Sequence, residues 1–270
     1  MFHNNAIIIG GITIKIATFN INSIRIRQED LLAWLTKDAI DIVALQETKV
    51  QDKDFPLSFF TNAGYHVVHK GEKGKNGVAI ISKTPPTDVS FGLDDVGVEG
   101  EARLIRATYG DITLINTYVP QGREVGTDYF AYKLAWLRGM KAYLNKHCHI
   151  KQKVVWLGDL NVAPEDIDVY DPKTLEGHVG FHPDEKSAFA YTKEWGLLDL
   201  FRKHIPESAN YTFWDYRIPN AVKRGIGWRI DHILVTAPLA EKSSNAYIAV
   251  KLREKERPSD HAPLVAEFKF

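Results

Sequence analysis

Short apolar runs rich in Val and Ile recur along the chain at residues 13–20, 40–46, 65–69, 77–82, 102–109, 111–118, 153–158, 229–235, 246–250 and 263–270. Several are bounded by turn-forming residues, and this pattern predicts strands. Helical spacing shows in three places. Residues 28–38 put Leu31, Leu32 and Leu35 on one side, and residues 128–146 put Phe130, Leu134, Leu137 and Leu144 on one face. Residues 184–195 do the same with Ala188, Phe189 and Trp195. Helices fall between some of the strands and strands outnumber them. That order predicts an α/β chain with two stacked sheets covered by helices on their outer faces. Three polar segments, 71–77, 163–186 and 219–227, read as functional loops, two of them basic.

The strand-like runs stop at unusual residues. ITIKIATF runs into Asn20, DIVALQ into Glu47, ITLINT into Tyr118, and VVWLG into Asp159-Leu160-Asn161. Asp231 sits just inside RIDHILV, and Ser259-Asp260-His261 precedes PLVAEF. Asp159 and Asn161 are two apart, so in an extended segment they share a face. A carboxylate there can bind metal or accept a proton from water, and the amide can hold that water or donate to a phosphoryl oxygen. Gly-Asp-x-Asn is equally a set of turn formers. Glu47 at the end of a buried run is costly unless paired with Lys49 or bound to metal. Asn20 reads as metal-site residue or helix cap. Asp260 and His261 are adjacent and diverge in an extended chain, which leaves Asp231 as the partner orienting His261 and Asp260 free for metal. Together these residues describe a site with hard oxygen ligands, a histidine–carboxylate pair, an amide and a phenol. That set suits metal-assisted phosphodiester hydrolysis, with magnesium or manganese expected rather than zinc.

Bulk composition narrows the picture only slightly. The chain has 270 residues and 44% hydrophobic content, and polar strand ends spread from residue 20 to residue 261, which favours one domain over residues 13–270 behind an extension at residues 1–12. Lys plus Arg and Asp plus Glu both total 34, so net charge neither demands nor excludes a polyanionic partner. The one cysteine, Cys148, rules out an internal disulfide and fits a reducing, cytoplasmic setting. No apolar stretch is long enough to span a bilayer, and the first residues lack the basic start of a signal peptide.

The motifs, taken in order, resemble the exonuclease III family of apurinic/apyrimidinic endonucleases. The matching segments are Ala17 to Arg25, Leu45-Gln46-Glu47-Thr48-Lys49, Asn116 to Pro120, Gly158 to Ala163, Trp214-Asp215-Tyr216-Arg217, Gly227 to Asp231, and Ser259 to Pro263. The resemblance covers residues 14–270. It implies a four-layer, DNase I-like α/β sandwich of two mixed sheets. It also implies cleavage of duplex DNA on the 5′ side of an abasic site to leave a 3′-hydroxyl, with clearing of blocked 3′ ends and 3′→5′ exonuclease action, by a monomer. By residue match it makes Glu47 the principal ligand of a Mg2+ ion (Mn2+ as substitute), with Asn20 and Asp260 near or on the metal. Asp159 would position or deprotonate the attacking water, and Asn161 would orient it or the phosphate. Asp231 would pair with His261, which contacts the phosphate, and Tyr118 would assist at the phosphate or leaving group. Phe213, Trp228 and Ile230 match the lining of a pocket for the flipped-out sugar, where a lone aromatic otherwise reads as core. Arg25, Lys49, Lys75, Asn76 and Arg123 would touch the DNA, Lys75 and Asn76 standing where relatives often carry a tyrosine. The competing readings are phosphoesterases of inositol phosphates or sphingomyelin, nonspecific deoxyribonucleases, and a DNA-binding module without activity.

Overall fold

A computed structural model describes residues 11–270 apart from Asp95 and Glu99. In chain order the elements are β1 (Thr13–Asn20), α1 (Ile24–Lys37), β2 (Ile42–Gln46), α2 (Leu57–Thr61), β3 (His66–Lys70), β4 (Val78–Ser82), β5 (Thr87–Phe91), β6 (Leu104–Tyr109), β7 (Ile112–Tyr118) and α3 (Asp128–His147). They continue with β8 (Lys153–Asp159), α4 (Pro172–Leu175), α5 (Pro183–Lys193), β9 (Leu197–Asp199), α6 (Leu200–His204), α7 (Ala221–Arg224), β10 (Asp231–Thr236), α8 (Ala237–Ala240), β11 (Ser243–Ile248) and β12 (Leu264–Lys269). The strands form two six-stranded sheets, ordered β11-β12-β1-β2-β4-β3 and β5-β6-β7-β8-β10-β9. Each has one parallel pair at its centre, β1 with β2 and β7 with β8, among antiparallel neighbours.

The continuous apolar runs follow from burial on both faces. In β8, Val155 and Leu157 point between the sheets with Ile16, Ala44, Ile80, Leu114 and Ile233. Val154 and Trp156 point the other way, onto Trp136, Leu137 and Met140 of α3 and Phe189 of α5. On the opposite outer face, Leu31, Trp34 and Leu35 of α1 pack on Phe19, Val43 and Leu45. The layers are therefore helix, sheet, sheet, helix, as the sequence implied. Residues 1–10 of the expected extension lie outside the described residues, and Ile12 continues the β1 ladder with bonds of 3.0 and 2.9 Å to Phe270. Helix α1 starts at Ile24 rather than at 28, and β10 starts at Asp231 rather than 229, because Trp228 instead bridges to Phe213 and Val169. The long loop 163–186 contains α4, and α7 lies in the loop 219–227.

The topology sets the direction of the strand ends. Parallel β1, β2, β7 and β8 all end, and antiparallel β10 and β12 begin, at the same edge of the sandwich. Beneath that edge a buried polar network ties the two sheets together. Gln46 Nε2 donates to Asn116 Oδ1 at 2.7 Å and to Thr18 Oγ1 at 3.0 Å. Asn116 Nδ2 reaches across to the carbonyls of Leu45 and Ala79, both at 3.0 Å. All three side chains are fully buried. Truncation at Asn116 would cost Gln46 its 2.7 Å acceptor and the Leu45 and Ala79 carbonyls their amide donor. We expect Asn116→Ala to lower unfolding free energy by roughly 2–3 kcal/mol, measured by urea denaturation; a loss below about 0.5 kcal/mol would show that the network contributes little.

Candidate active site

At the shared edge, Asp159 and Asp231 face each other directly in the β8–β10 register. Gly158, just before Asp159, has φ of +145°, and a Cβ there would come within 1.9 Å of the Thr117 carbonyl oxygen. Only glycine lets β8 lie against β7 as it delivers Asp159. His261, arriving before β12, places Nδ1 2.8 Å from Asp231 Oδ2 and Nε2 3.8 Å from Asp159 Oδ2. The first is a hydrogen bond and the second is too long for one, so the Nε2 proton faces the cleft. Burial alone would drive the imidazole toward neutrality, yet Asp231 and Asp159 overcome it and push His261 up to about 10. Burial, with Asp231 and Glu47 adding and His261 and the Asn20 amide opposing, pushes Asp159 up to about 7.

On the other side, Glu47 and Asp260 are joined through Asn22 and Lys49. Lys49 Nζ lies 2.7 Å from Glu47 Oε2 and 2.6 Å from Asn22 Oδ1. Asn22 Nδ2 donates to Asp260 Oδ1 at 2.9 Å. The Tyr118 hydroxyl donates to Glu47 Oε1 at 2.8 Å. Burial pushes the Glu47 carboxyl up, but Lys49, Asn20 and Tyr118 outweigh it and hold it below its usual range. Burial, then the charges of Glu47 and Asp159, push the Tyr118 phenol well above 10, so it stays a donor. Glu47, Asn22, Lys49, Arg123 and Asn161 all adopt left-handed backbone, with φ between 46° and 56°. Such non-glycine conformations concentrate at functional sites.

Two groups of side chains could hold a divalent cation. One ligand atom each of Asp159, Asp231 and His261 lies within 4.8 Å of the others. That imidazole would first have to surrender a proton its neighbours hold tightly, so the chemistry of this trio favours proton-bearing work. Glu47, held below its usual range, and Asp260 offer carboxylate oxygens in the same cleft, and their donor set fits a hard cation.

The structure changes the reading of several predicted residues. Asn20 Nδ2 donates to Glu47 Oε1 at 2.9 Å and Asp159 Oδ2 at 2.8 Å, while its Oδ1 accepts from Asn22 N. Asn20 therefore bridges two carboxylates, and its Oδ1 accepts one hydrogen bond. Lys49 pairs with Glu47 and Asn22 at the cleft. Asn76 is buried and bonded to Glu72, so it supports its loop instead of facing solvent. Lys75 is largely exposed beside Glu72. Arg123 is exposed over the Tyr129 ring at 3.9 Å. Arg25 is exposed in the first turn of α1 but does not line the cleft. Asn161 donates to the Val119 carbonyl at 2.9 Å, which leaves its second amide proton for the cleft.

The cleft has a volume of about 510 Å³, and Phe213, Trp228 and Ile230 form its apolar end beside His261 and Asp159. A buried charge cluster behind it fixes that end. Arg229 reaches Asp168 at 2.6 Å, Asp199 at 2.8 Å and His232 Nδ1 at 3.0 Å, and its backbone N–H donates to Asp168 O at 2.8 Å. Sequence reasoning missed Asn22, Asp168, Lys133 and Glu185. Asn22 was within reach, lying two residues after Asn20 in a polar stretch; the others pair over 50 or more residues and leave no local signal.

Known proteins carry the same architecture. A structure of an AP endonuclease from Archaeoglobus fulgidus is 50% identical, with a TM-score of 0.91, and the match covers 94% of this chain and 99% of that one. The 3′ phosphatase NExo from Neisseria, solved bound to product DNA hairpin, is 36% identical with a TM-score of 0.92 over 95% and 100% of the two chains. Exodeoxyribonuclease III of Haemophilus influenzae is 36% identical over 267 residues, covering 94% of this chain and all of the relative. The family description that matches residues 17–261 spans every strand end of the cleft, and with it the chain belongs to the endonuclease/exonuclease/phosphatase family.

Proposed function

We propose that the protein is a DNA repair nuclease that hydrolyses the phosphodiester 5′ to an abasic site, leaves a 3′-hydroxyl, and also clears blocked 3′ ends. The observation that carries this reading is the apolar pocket of Phe213, Trp228 and Ile230 set against the His261–Asp231 pair and Asp159 in one cleft. A deoxyribose without its base fits against apolar walls, and flipping costs least where no base is stacked. The names of relatives at 36–50% identity over nearly the whole chain point the same way. No helix among the described residues is long and apolar enough to cross a membrane.

Each side chain then has a task. Glu47 and Asp260 would hold Mg2+, with Mn2+ as a substitute, and the bound ion would supply positive charge against the phosphate and the leaving oxygen. Asn20 is a positioning residue that keeps Glu47 and Asp159 at fixed separation. His261, kept charged by Asp231, donates its Nε2 proton in a hydrogen bond to a phosphate oxygen. Asp159, up to about 7, takes a proton from the attacking water, and the free amide proton of Asn161 orients that water. The Tyr118 hydroxyl turns between Glu47 and the phosphate. Lys75 and Arg123 contact backbone phosphates and give binding its salt dependence.

Cleavage of a duplex bearing one abasic analogue should require a divalent cation and stop on chelation. Glu47→Ala should cut the rate by ~100-fold or more while the protein stays folded, and full activity of the folded variant in trace metal would contradict the assignment. Asp159→Asn and His261→Ala should each lower the single-turnover rate on the order of 10²–10⁴-fold with duplex affinity changed only a few-fold. The wild-type rate should fall as pH drops through about 7, where Asp159 takes up a proton and stops acting as base. Near-normal rates in either variant would contradict the roles of Asp159 and His261. Trp228→Ala should lower the ratio of abasic to intact-DNA cleavage by about tenfold; a large drop in melting temperature with the ratio unchanged would make Trp228 a packing residue only.

A further inference from the structure

Lys133, in the first half of α3, and Glu185, in the first turn of α5, form an ion pair with no exposed side-chain surface. An ammonium has three protons, and Lys133 has three acceptors: Glu185 Oε1, the Asn161 carbonyl at 2.7 Å and the Gln121 carbonyl at 3.2 Å. The other Glu185 oxygen accepts the backbone N–H of Gly180 at 2.7 Å and of His182 at 3.1 Å. The pair therefore joins three segments that line the cleft: the turn after β7, the turn after β8 and the loop between α4 and α5. None of these bonds serves α3 or α5 itself beyond the His182 cap.

The contacts end on the catalytic groups. The Asn161 peptide is gripped from both sides, its N–H donating to Asp159 Oδ1 at 3.0 Å and its carbonyl accepting from Lys133. That grip holds Asn161 at φ of +53°. The Gly180 carbonyl in turn accepts from Ala163 N–H at 2.7 Å, and Gly180 lies under the Trp228 ring, where a Cβ would come within 3.3 Å of Cζ3. Gly122 is packed against the Lys133 stem, where an added Cβ would come within 2.9 Å of Cδ. A buried pair of this kind is commonly no more stabilising than an apolar pair of equal volume, so stability alone does not account for it.

We propose that Lys133 is a positioning residue of the nuclease, which, charge-balanced by Glu185, fixes the Asn161 peptide in its working geometry beside the Gly180 floor that Glu185 holds. The inference rests on the proposed role of Asn161 in orienting the attacking water. Misplacement by about 1 Å can cost on the order of 100-fold in rate.

Two variants test it through opposite orders of stability and activity. Lys133→Met with Glu185→Gln removes both charges and the donor to Asn161, leaving the carboxamide oxygen at position 185 to accept from Gly180. Glu185→Gln alone keeps the Lys133 amine on the Asn161 and Gln121 carbonyls but leaves it without a counter-charge. The single variant should melt lower than the double, because breaking a buried pair costs more than replacing it. Its kcat on abasic duplex should nonetheless stay within a few-fold of wild type, while the double variant loses roughly 10–100-fold in kcat with KM nearly unchanged. Activity that follows melting temperature, or a folded double variant with wild-type kcat, overturns the proposal. If the single variant does not fold, the kcat of the double variant decides alone. Wild-type protein that leaves abasic duplex uncut sinks the functional reading instead, so the two failures are distinct.

Discussion

Two buried carboxylates on neighbouring strands cannot both stay charged without a cation between or beside them, and this constraint organises the molecule. The β8–β10 register sets Asp159 opposite Asp231, each with almost no solvent contact. His261 supplies the balancing charge, bonded to one and facing the other across 3.8 Å. Burial and then repulsion push the Asp159 carboxyl up toward neutrality, while attraction to both carboxylates outweighs burial and keeps the imidazole protonated. One group that gives up a proton reluctantly therefore faces another that accepts one near neutral pH. That is the separation of roles an in-line hydrolysis needs from a base and a charged phosphate contact.

The rest of the sandwich serves to bring these ends to one edge. The parallel pair at the centre of each sheet sends β1, β2, β7 and β8 the same way, and antiparallel β10 and β12 enter from there. The Thr18–Gln46–Asn116 network locks the sheets in relative position just beneath the cleft. Behind the pocket, Arg229 with Asp168 and Asp199 anchors Trp228 and Ile230, and Lys133 with Glu185 anchors Asn161 and Gly180. Two buried charge clusters thus support the cleft from below, where an apolar core would leave backbone carbonyls unmatched.

What the sequence disclosed follows from this arrangement. Asn20, Glu47, Asp159 and Asp231 were legible because each interrupts an apolar run at a point where burial of a polar group demands a reason. The two-sheet architecture was legible because β2 and β8 are buried on both faces and read as near-continuous apolar stretches. Strand β5 left no such pattern, since TDVSF is mostly exposed at a sheet edge, and β9 is only three residues long. The sense of the Asn20 amide was hidden too, because it depends on two carboxylates 27 and 139 residues away. The Glu47–Lys49 pair is one the sequence had offered, since the two residues lie two apart, whereas the bond from Asn76 to Glu72 left no such sign. Lys133 looks like any polar helical residue until α5 brings Glu185 to it.

The charge balance of the cleft turns on His261 being an imidazolium in the resting protein. Nitrogen-15 NMR of histidine-labelled, metal-free protein reads this directly, since protonated and neutral ring nitrogens differ strongly in chemical shift. Both His261 nitrogens should carry protons at pH 7.5, with a midpoint near 10 that falls when Asp231 is replaced by Asn. A neutral His261 ring at pH 7.5, titrating near the ordinary value of 6.5, would contradict it.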